Sequence, residues 1–182
     1  MKIERRVDHK FRFQLLAKWL IDNYPPRRAG PACRAADVGG SKGLLALLLN
    51  KQGWNCEVID PVNPDPITKY KDIESDKRVL ISKEESKNIP RKTGKFEIEM
   101  AQNYDLLIGL HAHGCNMKII DACKQYNKKF VLLPCCVIGE PIEIKPHVKW
   151  FDSLVTYAKE KGFNVEIDKL NFKGQNKIMF VR

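Results

Sequence analysis

No stretch of the 182-residue chain reaches the roughly 18 consecutive apolar positions of a membrane-spanning helix. Met1-Lys2-Ile3-Glu4-Arg5-Arg6 also lacks the apolar core of a secretion signal. A cytoplasmic protein with no membrane partner is therefore expected. No CxxC pair occurs among the six cysteines: Cys135 and Cys136 are adjacent, and the others lie in apolar or helical contexts. That pattern excludes a disulfide framework and points to reduced thiols. Internal repeats and low-complexity tracts are absent as well. The length suits one α/β core and leaves no room for a large second recognition domain, so specificity must come from loops or from the N-terminal segment.

Acid is scarce relative to base, 22 Asp and Glu against 32 Lys and Arg, a net charge of +10. The excess is uneven. Residues 1–34 carry nine basic and three acidic residues and residues 69–95 nine and five, whereas residues 35–68 carry two and four. Basic segments thus flank an acidic one. Because Lys and Arg supply most non-specific affinity for phosphate backbones, RNA is the expected partner of the N-terminal segment and of residues 69–95. A lysine-rich solvated surface is the alternative, since the lysines beyond the N-terminal segment are interleaved with acids.

The acidic segment holds the chain's most specific pattern, Ala36-Asp37-Val38-Gly39-Gly40-Ser41-Lys42-Gly43-Leu44-Leu45, with Asp60 closing the next apolar stretch. Apolar residues, an acid, glycines and a leucine-rich run describe a strand, a tight turn and a helix N-terminus. Glycine suits the turn because it permits unusual backbone angles and close approach of a ligand. A phosphate-cradling P-loop requires Gly-Lys-Ser/Thr, but here Lys42 precedes Gly43 and Leu44 follows. A dinucleotide fingerprint starting at Gly39 requires glycines where Ser41 and Leu44 stand. An anionic Asp37 would repel a phosphate and favour a cationic ligand, and Asp60 at the next strand tip is placed to accept from a ribose diol. Asp37 as a mere helix cap is the competing reading.

Asp37, Gly39, Ser41 in place of a glycine, and Gly43 resemble the first motif of class I S-adenosylmethionine-dependent methyltransferases. The resemblance implies that S-adenosylmethionine is the cofactor, held by Asp37, Gly39, Gly40, Ser41, Gly43 and Asp60, with Gly109 and Leu110 at the next strand tip. It also implies a three-layer, doubly wound α/β fold with a mostly parallel seven-stranded sheet whose last strand is antiparallel, here with an added N-terminal helix.

The periodicities fit that plan. Phe11, Leu15, Leu16, Trp19 and Leu20 form one stripe of a helix over residues 9–24, with Asp8 as N-cap and Pro25-Pro26 as its stop. A Pro/Arg/Gly loop leads to strand one at 34–38, a helix over 44–52 and strand two at 56–59. Residues 61–77 are expected as a loop, 78–82 as strand three, and the basic stretch to Lys95 as a connection to a short helical piece ending at Asn103. Continuous apolar runs predict buried strands at 104–111 and 130–134, with a helix over 117–126 between them. A helix over 147–161 and two strands, 163–170 and 177–181, complete the chain. Residues 1–33 are thus expected to form a basic helix and loop packed on a core of 34–182.

Ligands of an open parallel sheet lie at the carboxyl ends of its strands. Two clusters fall there: Gly109-Leu110-His111-Ala112-His113-Gly114-Cys115-Asn116 and Leu133-Pro134-Cys135-Cys136, which runs on to Gly139-Glu140. The residues permit three chemistries. His111 or His113 could be a general base, Cys135 or Cys136 a nucleophile, and the His and Cys residues, Cys115 included, could bind zinc. No familiar ligand spacing links the last set, so no metal is expected. Cysteines under a strand end also simply fill space. Asn116 and Glu140 are secondary candidates for positioning a substrate, and Lys173, Gln175 and Asn176 could reach the same rim. The pairing of Leu-His-Ala-x-Gly with a later Pro-Cys-Cys resembles methyltransferase-like proteins that include a eukaryotic tRNA 2'-O-methyltransferase group. That group has Cys in place of His113 and carries zinc-binding modules absent here. The expected function is methylation of RNA, tRNA or rRNA; the alternatives are a small-molecule or protein methyltransferase, or a non-catalytic cofactor-binding module.

Overall fold

The structure, a computed structural model, describes residues 6–25, 33–144 and 146–182. The Pro/Arg/Gly loop expected at 26–32 and the first five residues of the basic segment lie outside the described residues. Asp8 caps a 3-10 turn, His9–Phe11, by accepting from the Lys10 N–H at 2.9 Å, and α1 (Arg12–Asn23) continues it. The glycine turn joins β1 (Arg34–Val38) to α2 (Leu44–Asn50), and β2 (Asn55–Asp60) follows. Next come β3 (Lys69–Lys71), β4 (Arg78–Leu80), α3 (Lys83–Lys87), β5 (Arg91–Thr93) and a 3-10 helix, Ile98–Asn103. The second half runs β6 (Leu106–Leu110), α4 (Asn116–Tyr126), β7 (Lys129–Leu133), α5 (Trp150–Glu160), β8 (Glu166–Lys169) and β9 (Lys177–Phe180).

Seven strands form one sheet in the order β5-β2-β1-β6-β7-β9-β8, parallel except that β9 runs antiparallel to both β7 and β8. The three-layer α/β architecture is the one the sequence leads one to expect. Successive strand residues feed opposite faces. Ala35, Val58, Ile108 and Val131 pack with Leu16 and Leu20 of α1 and with Leu45 and Leu49 of α2. Ala36, Leu107, Phe130 and Leu132 pack with Ile119 and Ile120 of α4 and with Leu154 and Ala158 of α5. Both faces being covered is why β6 and β7 read as unbroken apolar runs. Each such Leu or Ile taken from water contributes about 1.5–3 kcal/mol. Among the described residues no helix is long and apolar enough to cross a membrane.

Two expectations need correction. The third strand of the sheet is not 78–82 but Arg91–Thr93, inside the stretch read as a connection; it pairs parallel with Val58, Ile59 and Asp60. Residues 61–77 are not all loop, since Lys69–Lys71 pairs antiparallel with Arg78–Leu80 in a separate two-stranded hairpin. The reason is that an edge strand of three residues has no apolar signature. The more apolar Val79-Leu80 lies in the hairpin, where Leu80 is 75% exposed. The side chain of Gln14 ties this hairpin to α1, donating to the Lys71 carbonyl and accepting from the Ile73 N–H, both at 2.7 Å.

The chain runs outward from β1 to β2 and β5, then crosses back to β6 on the other side of β1. That reversal opens a crevice at the carboxyl ends of β1 and β6, where open α/β sheets bind ligands.

Candidate active site

The glycine turn after β1 is built over two buried acids. Asp37 is 1% exposed, and a Cβ at Gly40 would stand 2.4 Å from its Oδ2, so the turn can pass over the carboxylate only with glycine there. Asp37 accepts from the Ala46 N–H in the first turn of α2, while its Oδ2 is buried without a partner among the described residues. Burial above all, and then the neighbouring charge of Asp60, push its pKa up to about 7, against the pull of Arg91. Asp60 spans the turn: Oδ2 accepts from the Ser41 N–H at 2.9 Å and Oδ1 from the Val62 N–H at 2.8 Å. Ser41, where the resembling motif has glycine, takes a left-handed φ of 47°. Arg91 on β5 donates to the Ser41 carbonyl and, at 3.4 Å, to that of Val62, clasping the turn from the sheet edge.

A cavity of about 500 Å3 opens at the strand tips. Its walls are Val38 and Gly39 at the end of β1, Ile59, Asp60 and Pro61 at the end of β2, Lys95 and Phe96 after β5, His111 to Cys115 after β6, and Lys118 on α4. Of the residues selected from the sequence, Gly39, Asp60, His111, His113 and Cys115 line it. Asp37 lies in β1 and Gly40, Ser41 and Gly43 in the turn, none of them part of the lining, and Gly109 and Leu110 lie within the buried strand β6. Gly109 leaves room for a neighbour, since a Cβ there would stand 2.8 Å from Leu132. Lys95, Phe96 and Lys118 escaped the sequence reading. The rule of strand tips identifies the first two once β5 is put at 91–93. Lys118 holds their segment over the cavity, donating to the Phe96 carbonyl at 3.2 Å and pairing with Glu97 at 3.0 Å.

His111 turns the chain out of β6 with a left-handed φ of 56°, a conformation rare for a residue with a Cβ. Its ring stacks on that of His9, centroids 5.4 Å apart and planes 15° from parallel, and its Nε2 lies 3.5 Å from the Gln175 carbonyl oxygen. Burial pulls its pKa down to about 4 although that carbonyl favours the charged ring; Arg12, His9 and His113 add to the lowering. The N-terminal turn therefore reaches the site itself, a placement that no periodicity could reveal.

His113 meets Cys135 and Cys136 because two loops touch backbone to backbone. A Cβ at Gly114 would stand 3.0 Å from the Gly139 carbonyl oxygen, and one at Gly139 3.2 Å from the Gly114 Cα; both residues have positive φ. Nε2 of His113 lies 2.8 Å from Sγ of Cys135 and 3.6 Å from Sγ of Cys136, and the two sulfurs are 3.5 Å apart. Burial first, and then the Cys136 thiol, raise the pKa of Cys135 to about 11, so its thiol is not a ready nucleophile at neutral pH.

Three secondary candidates are engaged elsewhere, and their expected substrate role is corrected accordingly. Glu140 receives the N-terminus of α4, accepting from the Asn116 N–H at 2.8 Å, the Asn116 Nδ2 at 2.7 Å and the Met117 N–H at 3.1 Å. Asn116 is itself buried, its amide also donating to the Ala112 carbonyl at 3.0 Å. Asn176 is buried and closes the β8–β9 connection by donating to the Leu170 and Phe172 carbonyls at 2.7 and 2.8 Å. Replacing Glu140 by alanine leaves the Asn116 and Met117 N–H groups at a helix N-terminus without their acceptor. A loss of about 2 kcal/mol is expected, lowering the thermal midpoint by roughly 4–8 °C. A melting scan in which Glu140→Ala matches the parent would contradict this role.

The strand order and the single reversed strand define the fold of the class I S-adenosylmethionine-dependent methyltransferases. The chain superimposes on a SAM-dependent methyltransferase from Archaeoglobus fulgidus over 93% of each chain, with a TM-score of 0.53 and 12% identity. It superimposes on an MtNAS variant over 93% of this chain and 59% of that one, with a TM-score of 0.55 and 17% identity. In sequence it is similar to the probable tRNA (uracil-O(2)-)-methyltransferase of Caenorhabditis elegans, 25% identical over 158 residues. That match covers 80% of this chain and 27% of the worm protein, so the chain spans about a quarter of that relative's length. No family model matches the chain.

Proposed function

We propose that this protein is an S-adenosylmethionine-dependent methyltransferase whose acceptor is RNA. The observation that carries the reading is the cavity at the point of strand reversal, with Gly39 and Asp60 on one wall and His111 and His113 on the other. Its volume lies within the roughly 300–1,000 Å3 of small-molecule sites. The donor set suits a sulfonium amino-acid nucleoside: Asp60 offers carboxylate lone pairs at a strand tip, the Oδ2 of Asp37, without a partner among the described residues, adds an acceptor beneath the turn, and Phe96 offers an apolar ring. Asp37, Gly40, Ser41 and Gly43 would hold the turn that receives the cofactor, with Gly109 and Leu110 behind it. When bound, the cofactor supplies an electrophilic methyl group. The chain's own contribution is to orient the acceptor and to accept its proton, and His111 is the residue whose ring borders both the cavity and the N-terminal turn.

RNA is favoured by the net charge of +10 and by the worm relative's described acceptor. The Leu110-His111-Ala112-His113-Gly114 and Pro134-Cys135-Cys136 segments add their resemblance to a tRNA-modifying group. We assign residues 1–33 as a basic element that docks on the core of 34–182 and delivers RNA to it. The stacking of His9 on His111 supports that assignment, with Arg12 3.3 Å from the ring of His9. In the stretch 69–95, Lys71 pairs with Asp76 and Arg91 clasps the turn, so the remaining basic residues there would meet phosphate.

The test is methyl transfer from radiolabelled cofactor to separated tRNA, rRNA, protein and metabolite fractions. Label in an RNA fraction is expected, falling roughly 100-fold or more in His111→Ala as for loss of a general base. Label confined to protein or small molecules would overturn the RNA acceptor, and absence of label from every fraction would leave a binding module instead.

A further inference from the structure

Three metal-ligating side chains come together at the edge of the cavity, one of them, His113, in its lining. Nε2 of His113 and the two sulfurs of Cys135 and Cys136 all lie within 4.8 Å of one another. In an extended strand neighbouring side chains point to opposite faces. Here the chain leaves β7 at Leu133, and the irregular backbone that follows brings two successive sulfurs within 3.5 Å. The third donor comes from the other loop, which the Gly114–Gly139 contact presses against this one. Two crossing loops and three donors of the borderline-soft kind make a site rather than a coincidence of surface residues.

We propose that His113, Cys135 and Cys136 form a zinc site with three protein ligands and an open fourth position. A tetrahedral ion with Zn–S near 2.3 Å and Zn–N near 2.05 Å has ligand edges of about 3.8 Å between sulfurs and about 3.5 Å between sulfur and nitrogen. The observed 3.5 Å between the sulfurs and 3.6 Å from Cys136 to His113 are close to those edges, and the 2.8 Å from Cys135 to His113 widens by rotation of an exposed imidazole. Thiolates with imidazole select zinc over magnesium or calcium, which take oxygen donors. Binding exchanges two thiol protons for two Zn–S bonds, and the neutral imidazole adds its lone pair without proton release. Three protein ligands leave the fourth position to a water or to a lone pair of the acceptor, the arrangement of catalytic rather than structural zinc. Because His113 also lines the cavity, an oxygen or nitrogen held at that fourth position would be acidified next to the methyl donor. That catalytic consequence rests on the methyl-transfer reading; metal binding does not.

The test uses the full chain, freed of metal with a chelator, kept reduced with a phosphine and titrated with cobalt(II) and then zinc(II). One equivalent of cobalt bound to the metal-free chain is expected to give the intense visible bands of a tetrahedral thiolate complex and to release two protons, and one equivalent of zinc is expected to bleach those bands without further proton release. Cys135→Ser, Cys136→Ser and His113→Ala should each weaken zinc affinity at least about 100-fold while retaining the parent far-ultraviolet spectrum. Cys115→Ser should bind as the parent does. Pale octahedral cobalt, no stoichiometric zinc, or unchanged affinity in a Cys135→Ser, Cys136→Ser double variant would overturn the site. None of these readouts involves S-adenosylmethionine, so failure here is separable from failure of the methyltransferase reading.

Discussion

Asp60→Ala is expected to weaken S-adenosylmethionine binding by at least about 100-fold. The carboxylate performs two tasks. It lines the cavity, and it fixes the glycine turn by accepting the Ser41 and Val62 N–H groups at 2.9 and 2.8 Å. Hydrogen bonds to a charged group are each worth about 1.5–3 kcal/mol. Losing two of them therefore removes about 3 kcal/mol or more, and each 1.4 kcal/mol is tenfold in affinity. Ser41, held at a φ of 47°, has the most to lose when its N–H is released, so the turn should relax away from the binding geometry. Asp60→Asn keeps one acceptor oxygen and should fall between the two. Calorimetric titration of the three proteins, with thermal melts to verify folding, gives the comparison. Binding by Asp60→Ala within threefold of the parent would contradict the role of this residue.

The second large effect concerns pH and Asp37. Its pKa in the folded chain, about 7, lies above its ordinary value of 3.8, so the folded state holds the proton more tightly than the unfolded state does. Stability from this group is therefore fully present below about pH 4 and is lost as pH rises towards about 7. Three units correspond to about 4 kcal/mol, and full burial leaves little solvent screening to reduce it. Asp37→Asn keeps an acceptor for the Ala46 N–H and cannot ionise. The gap in unfolding free energy between the parent and Asp37→Asn should accordingly shift by about 4 kcal/mol, in favour of the variant, between pH 4 and pH 8. Urea unfolding at pH 4, 6 and 8 reads this directly. A gap independent of pH would show that Asp37 is ionised in the folded protein throughout the range.

The parts of the fold legible in the sequence are those with a continuous physical signature. The sequence bounds strand one at Arg34 and Val38, where a charged residue stands at one end and glycines follow the other, and β1 has those bounds. The strands β6 and β7 are readable because both faces of the sheet are covered, which removes polar residues from the pattern. The edge strand Arg91–Thr93 carries no such mark. Its place is set by Val58, whose N–H donates to the Pro90 carbonyl at 2.9 Å, and by burial of Ile89.

At the site, glycines and acids were legible as types but not as partners. Glu140 looked like a substrate group until its three bonds to the start of α4 were visible. Asn176 reads as a group at the site's rim, whereas the connection folds around its amide. The contact of Gly114 with Gly139, which gathers His113 with Cys135 and Cys136, joins residues 25 apart through backbone crowding. The stacking of His9 on His111 spans the whole first half of the core. Such pairings depend on tertiary placement, and neither spacing nor propensity encodes them.

The most direct test of the central claim is a calorimetric titration of S-adenosylmethionine into the purified, reduced protein, with NAD as the competing nucleotide. One equivalent binding at micromolar affinity, with no heat from NAD, is the expected result. Absence of saturable S-adenosylmethionine binding by the folded protein would contradict the assignment of the cavity between Gly39, Asp60 and His111.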